Sequence, residues 1–92
     1  MATVTFVVPP SWNSVTPLSE LTCDAPTVRE ALAWFTERYP DLSKRYATPD
    51  GEIAPWALVT LNQIDVRTLR GLETTIDPRG GELQIIASLM GG

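Results

Sequence analysis

The chain has 92 residues, 43% of them hydrophobic, with seven Lys/Arg against eleven Asp/Glu, one cysteine and no histidine. That is enough chain for one domain with a modest core, and too apolar for global disorder. The net charge of −4 and the scattered cations argue against nucleic-acid binding, while the missing histidine and single cysteine remove the usual neutral-pH base, a zinc cluster and an internal disulfide, so neither a catalytic nor a metal site is expected.

The opening lacks a basic segment followed by an apolar one, and Thr3 to Val8 alternates instead, with Val4, Phe6 and Val8 on one face. It reads as a half-buried strand and not as a signal peptide. No apolar run approaches the ~18 residues of a membrane span, so a cytoplasmic protein with no membrane partner is expected. Pro9-Pro10 ends the strand, and Ser11 to Pro17 is a loop whose Trp12 is read as a lid over the core, with an exposed contact as the alternative. Leu18 to Cys23 is a second short strand, antiparallel to the first.

Thr27-Val28-Arg29-Glu30 matches a capping box: the Thr27 hydroxyl takes the Glu30 amide and Glu30 reaches back. A helix is predicted from Val28 to about Tyr39, with Val28, Leu32, Phe35, Tyr39 and Ala31 as its buried stripe, and Pro40 as its stop. Pro40 to Pro55 is polar, with a turn at Pro49-Asp50-Gly51 and one helical turn expected over Leu42 to Tyr46. Trp56 to Leu61 is a strand with Ala57, Val59 and Leu61 inward and Leu58 and Thr60 outward. A turn and a short return strand from Ile64 to Arg67 follow, then a loop from Thr68 to Thr75. Asp77-Pro78-Arg79-Gly80-Gly81 is a second turn; no lysine or Ser/Thr follows its glycines, so it is no phosphate loop. In Glu82 to Ala87, Leu83, Ile85 and Ala87 alternate with Gln84 and Ile86 as a last strand. This order gives an α+β chain with a mixed sheet of four to five strands packed on one main helix.

After the strand come Ser88-Leu89-Met90-Gly91-Gly92. The chain is therefore divided into a body, 1–87, and a flexible tail, 88–92. A diglycine lets backbone enter a narrow site, and Gly92 puts the least bulk beside a terminal carboxylate. The plain alternative is a frayed end.

Three stretches, in this order and spacing, make the chain resemble the ubiquitin-like β-grasp sulfur carriers of the MoaD/ThiS family. They are the helix start Thr27-Val28-Arg29-Glu30-Ala31-Leu32, the stretch Val59-Thr60-Leu61-Asn62 followed by Val66-Arg67, and Gly80 to Ile85 followed by the terminal Gly-Gly. The sequence departs from the family at Gln63, where glycine is common, so a tight Asn-Gly type of turn is not expected there. It departs also at Gly81, in place of an acid, in the missing proline before the tail, and in the long Pro40 to Pro55 segment. Length and segment look more like the carriers of cysteine or secondary-metabolite pathways.

The resemblance implies a co-substrate and not an enzyme. Gly92 would be adenylated by a ubiquitin-activating type of enzyme and converted to a thiocarboxylate by a sulfur donor protein or sulfide, and a synthase would then accept the sulfur. ATP and Mg²⁺ would sit on the activating partner, with no cofactor bound by this chain. The tail residues Leu89, Met90, Gly91 and Gly92 carry the site, and Leu58 with Ile86 would form the partner-binding patch. The same fold serves as the small subunit of a molybdopterin synthase, as a ubiquitin-like protein modifier, or as a plain interaction module. Cys23 is either a small core residue or a persulfide site.

Overall fold

The computed structural model describes residues 2–9, 12 and 21–87. Its elements run β1 (Thr3–Val7), β2 (Thr22–Asp24), α1 (Val28–Arg38), α2 (Pro40–Ser43), β3 (Ala57–Leu61), β4 (Ile64–Asp65), two 3-10 turns at Val66–Thr68 and Gly71–Glu73, and β5 (Gly81–Ala87). The strands form one mixed sheet in the order β2-β1-β5-β3-β4. β1 pairs parallel with β5 and every other pair is antiparallel. The last strand thus lies at the centre of the sheet.

Alternation explains which face is inner. Val4 and Phe6 of β1, Ala57, Val59 and Leu61 of β3, and Leu83 and Ile85 of β5 are buried. They meet the α1 stripe of Val28, Ala31, Leu32 and Phe35, continued by Tyr39, in one core cluster. The Phe6 ring lies 5.0 Å from that of Phe35 and 5.6 Å from that of Trp34. Thr27 caps α1, its hydroxyl accepting from the Glu30 amide at 3.3 Å, the first half of the expected box. The helix start is tied across the molecule as well: the Val28 amide donates to the Thr74 carbonyl at 3.0 Å and the Ile76 amide to that of Pro26 at 2.8 Å. Leu18 to Glu20 of the expected second strand, and the tail, lie outside the described residues, so the division at residue 87 is an expectation beyond them.

Four readings are corrected. The extra helical turn begins at Pro40 and not at Leu42, because a proline's fixed φ suits the first helical position and its missing N–H costs nothing there. Trp56 precedes β3 in a turn closed by the Ala57 amide on the Ala54 carbonyl at 3.0 Å. The segment read as polar contributes Leu42, Tyr46 and Ala54 to the core. Tyr46 is 1% exposed, and its hydroxyl lies 2.6 Å from the Thr36 hydroxyl, which satisfies the one polar atom that burial would strand. Trp12 is buried, 6.4 Å from the Tyr46 ring, as the lid that was expected.

The fourth correction is the turn after β3. Leu61 pairs with Ile64, so only Asn62 and Gln63 intervene, and both have positive φ, 52° and 71°. This is the tight two-residue hairpin with the φ signature of a type I′ turn, formed without glycine. Asn62 tolerates that conformation well, and it is held there by β5: its amide donates to the Glu82 carbonyl at 2.8 Å and its side-chain oxygen accepts from the Glu82 amide at 2.9 Å. Gln63 makes the turn at a steric cost. The expected return strand is correspondingly brief, and Val66–Thr68 winds into a 3-10 turn capped by Asp65, whose carboxylate accepts from the Arg67 amide at 2.9 Å.

Replacing Gln63 with glycine is expected to stabilise the fold by about 0.5–1 kcal/mol, since a left-handed L-residue costs roughly 1–2 kcal/mol and glycine's extra unfolded-state freedom returns part of it. Gly80→Ala should do the reverse. Gly80 has φ +107° and a Cβ there would sit 2.8 Å from the Thr3 carbonyl oxygen, a strain of about 1–3 kcal/mol. Urea denaturation of the two variants measures both.

Candidate functional site at the exit of the last strand

The site begins with the pairing of β3 and β5. In their register Leu58 stands directly opposite Ile86 and Ala57 opposite Ala87. Since Val59 and Ile85 point inward, Leu58 and Ile86 share the outer face. Ile86 is 42% exposed and Leu58 half-buried, so the two form one apolar contact at the end of the sheet where β5 runs out. Their outward neighbours toward the other end of the strands are Thr60 opposite Gln84, and then Glu82 beside Thr5. Thr60 points outward as expected and is nonetheless buried. The outer face is thus polar where β5 begins and apolar where it ends.

Leu89, Met90, Gly91 and Gly92 lie outside the described residues. What the structure fixes is the strand that carries them. β5 is bonded on both sides, and its start is clamped by Asn62 and by the glycine at position 80.

Trp56 and Arg67 stand at the same end and were not singled out from the sequence as site residues. The Arg67 guanidinium donates to the carbonyls of Ala54 and Ala57, each at 2.8 Å, and so braces the turn that presents Trp56. The Trp56 indole N–H donates to the Arg45 carbonyl at 3.0 Å while the ring stays 39% exposed. The nearest sequence signal is an Arg following a Val after the hairpin; nothing local says that its partners lie 10 and 13 residues back. Beside Trp56, a groove of about 840 Å³ opens between α1 and the 43–56 segment, with Leu32, Ala33, Ile53 and Leu72 on its walls.

Cys23 faces the core side, opposite Val4. Burial first, and the neighbouring Asp24 carboxylate second, push its thiol up to about 11. A thiol in that state is a weak nucleophile at neutral pH, which favours the packing role. Asp77, in the turn before β5, is held down to about 2 by hydrogen bonds from Arg79; the pair is exposed and braces the turn. Among the described residues no cluster of His, Cys, Asp and Glu can hold a metal ion, and no helix is long and apolar enough to cross a membrane.

Neither the protein-family models nor the curated proteins yield a match to this sequence. Solved structures do. The solution structure of small archaeal modifier protein 1 from Methanosarcina acetivorans superposes with a TM-score of 0.80 at 23% identity, covering 100% of this chain and 98% of the other. A chain of the BexX/CysO complex of Amycolatopsis orientalis gives 0.72 at 24% identity, with both chains covered completely. CysO of Mycobacterium tuberculosis gives 0.71 at 22% identity, over 97% of this chain and all of the other. With the sheet order and the single main helix, these likenesses establish the ubiquitin-like β-grasp fold for this chain.

Two weakly acidic groups set its alkaline behaviour. Burial raises the Tyr46 phenol to about 12, against the opposing hydrogen bond from Thr36, and the Cys23 thiol is raised too. Both groups hold their protons more tightly folded than unfolded, so their stabilising effect is complete below the unfolded pKa values and is lost as pH rises through the folded ones. Stability should be level up to about pH 8 and fall toward pH 12, Cys23 first and then Tyr46, whose share reaches about 2 kcal/mol. Urea midpoints against pH test this, and Tyr46→Phe should remove that share of the slope. Alkylation of Cys23 in the folded protein should be slow at about pH 8 and accelerate toward about pH 11.

Proposed function

We propose that this chain is a sulfur carrier of the MoaD/ThiS type, in which the fold is a handle and the Gly92 carboxylate is the reacting group. The observation that carries the reading is the placement of the apolar pair Leu58 and Ile86 where the central strand ends, with only Ser88-Leu89-Met90 between that end and a terminal diglycine. A partner enzyme that grips this pair has the tail in hand.

The chemistry follows from the weakness of a carboxylate as an electrophile. A Gly92 oxygen attacks the α-phosphorus of ATP, pyrophosphate leaves, and an acyl-adenylate forms. Sulfide then adds to the acyl carbon and AMP departs with the C–O bond electrons; where the sulfur comes as a donor protein's persulfide, the acyl disulfide formed first is cleaved by a second thiol, which is oxidised to a disulfide with the donor sulfur as the thiocarboxylate is released. The product thiocarboxylate is ionised at neutral pH and its sulfur is a soft nucleophile. A synthase takes the sulfur into its product, and the carrier returns as carboxylate. On this reading ATP and Mg²⁺ sit on the activating enzyme. The chain serves as co-substrate.

The likeness to a chain of the BexX/CysO complex supports a body that is received by a second protein. The likeness to small archaeal modifier proteins favours one other reading, in which the activated Gly92 is transferred to a lysine amine as an isopeptide. Intact-mass analysis of the chain from its native cell separates the two. Exchange of one oxygen for sulfur adds about 16 Da, in a species whose thiolate is alkylated at the chain end, whereas lysine adducts of larger mass would overturn the carrier reading. With the activating enzyme in hand, Leu58→Asp should lower kcat/KM for adenylation about tenfold or more, the loss of a buried interface anchor, with the fold intact by circular dichroism. Unchanged kinetics would remove the patch from the site.

A further inference from the structure

The groove between α1 and the 43–56 segment has no part in the function proposed above. Its volume of about 840 Å³ falls within the range of clefts that take small molecules. One wall is the outer side of α1, where Leu32, Ala33, Thr36 and Glu37 follow at helical spacing. The other wall is a small hairpin tied by its own bonds. Ala47 bridges Ile53, the Thr48 amide donates to the Glu52 carbonyl at 2.9 Å, and the Gly51 amide closes the turn on the Thr48 carbonyl at 2.9 Å. Trp56 ends that wall, fixed by its indole bond to the Arg45 carbonyl.

The polar groups of the groove define its ligand by what they withhold. The Thr36 and Tyr46 hydroxyls are bonded to each other at 2.6 Å. The Ser43 hydroxyl donates to the Pro40 carbonyl at 2.8 Å, and the Thr48 hydroxyl accepts from the Glu52 amide at 3.2 Å. With the Trp56 N–H taken as well, every neutral polar side chain lining the groove is already engaged within the protein. The charged side chains, Arg29 and Lys44 against Glu37 and Glu52, are exposed and offset one another, and Arg29 is held by Glu73 at 2.7 Å. A charged ligand would leave water with no net charge to receive it, and an extended peptide would bring backbone N–H and C=O groups to side chains with no bonds to spare. What remains on offer is apolar: Leu32, Ala33, Ile53 and Leu72, and a Trp56 ring left 39% exposed.

We infer that this groove binds an uncharged, largely apolar small molecule carrying an aromatic ring, which lies against Trp56 and between Ala33 and Ile53. A rigid aromatic wall needs no reordering when a ring packs on it. The site is separate from the reading of the tail as the reactive arm, and its failure would leave that reading untouched.

NMR titration of the full chain with naphthol, which is uncharged at neutral pH, tests it, with naphthoate and naphthylmethylammonium as an anion and a cation built on the same rings. The expected result is saturable shifts of the Trp56 indole N–H and the Ala33 and Ile53 methyls, with a Kd of about 0.1–1 mM for a ligand of this size. Both charged analogues should bind at least about tenfold more weakly, and the indole of Trp34, stacked on Phe6 at 5.6 Å, should stay in place. Ala33→Gln, at an exposed position where glutamine keeps the helix, should weaken naphthol about tenfold by putting an amide into the apolar space, with the fold unchanged. Absence of saturation, equal binding of either charged analogue, or shifts confined to Leu58 and Ile86 would overturn the inference. Groove shifts that grow with protein concentration before any naphthol is added would overturn it too, because the occupant would then be a second copy. So would an amphipathic helical peptide that gives the same shifts and displaces naphthol at lower concentration, since a partner's helix would then fit the groove better than a small molecule.

Discussion

Leu83 and Ile85 have no exposure at all, and they hold β5 against the core while β1 and β3 bond its two edges. Everything else in the molecule depends on that central seat. A strand at the end of a chain would ordinarily be the first to fray. Here, pulling it out would break two ladders at once and open cavities under two large side chains, each costing about 2–5 kcal/mol if emptied. The start of the strand is locked as firmly, by Asn62 exchanging two hydrogen bonds with Glu82 and by a glycine lying against the Thr3 carbonyl. The consequence for function is geometric. The point at which the tail departs is rigid, and the residues beside it, Leu58, Ile86 and Trp56, are held in place by the same ladder and by Arg67.

The other layer serves that seat. α1 covers the inner faces of the strands, and the segment after it folds back so that Tyr46 fills the space beside Phe35, their ring centroids 5.8 Å apart. This segment supplies Tyr46 to the core and gives the groove its second wall. A chain with a shorter connection between α1 and β3 would keep the sheet and its apolar pair and lose the groove.

Much of this was legible in the residues. Period-two alternation placed the inner faces of β1, β3 and β5, and the same alternation put Leu58 and Ile86 outward; the structure adds that they are direct register partners. The capping threonine and the i, i+4, i+7 stripe placed α1. The misses share a cause. Tyr46, Leu42 and Ala54 show no period in a stretch rich in turn residues, because each is buried by a separate contact. Gln63 pointed away from a tight hairpin because its cost is local, whereas the bonds from Asn62 to β5 that impose the turn come from 20 residues along the chain. Arg67 read as one scattered cation, and its work on two carbonyls is visible only once β3 and the 3-10 turn are side by side.

The central claim is that the carboxylate of Gly92 is the reacting group and that the body exists to deliver it. The most direct measurement is ATP–pyrophosphate exchange catalysed by the activating enzyme, comparing the chain with a semisynthetic copy in which the Gly92 carboxylate is a carboxamide. An amide cannot attack the α-phosphorus as a carboxylate does, and it leaves the folded body untouched. The account predicts exchange with the native chain and none with the capped one. Equal exchange from both would contradict it.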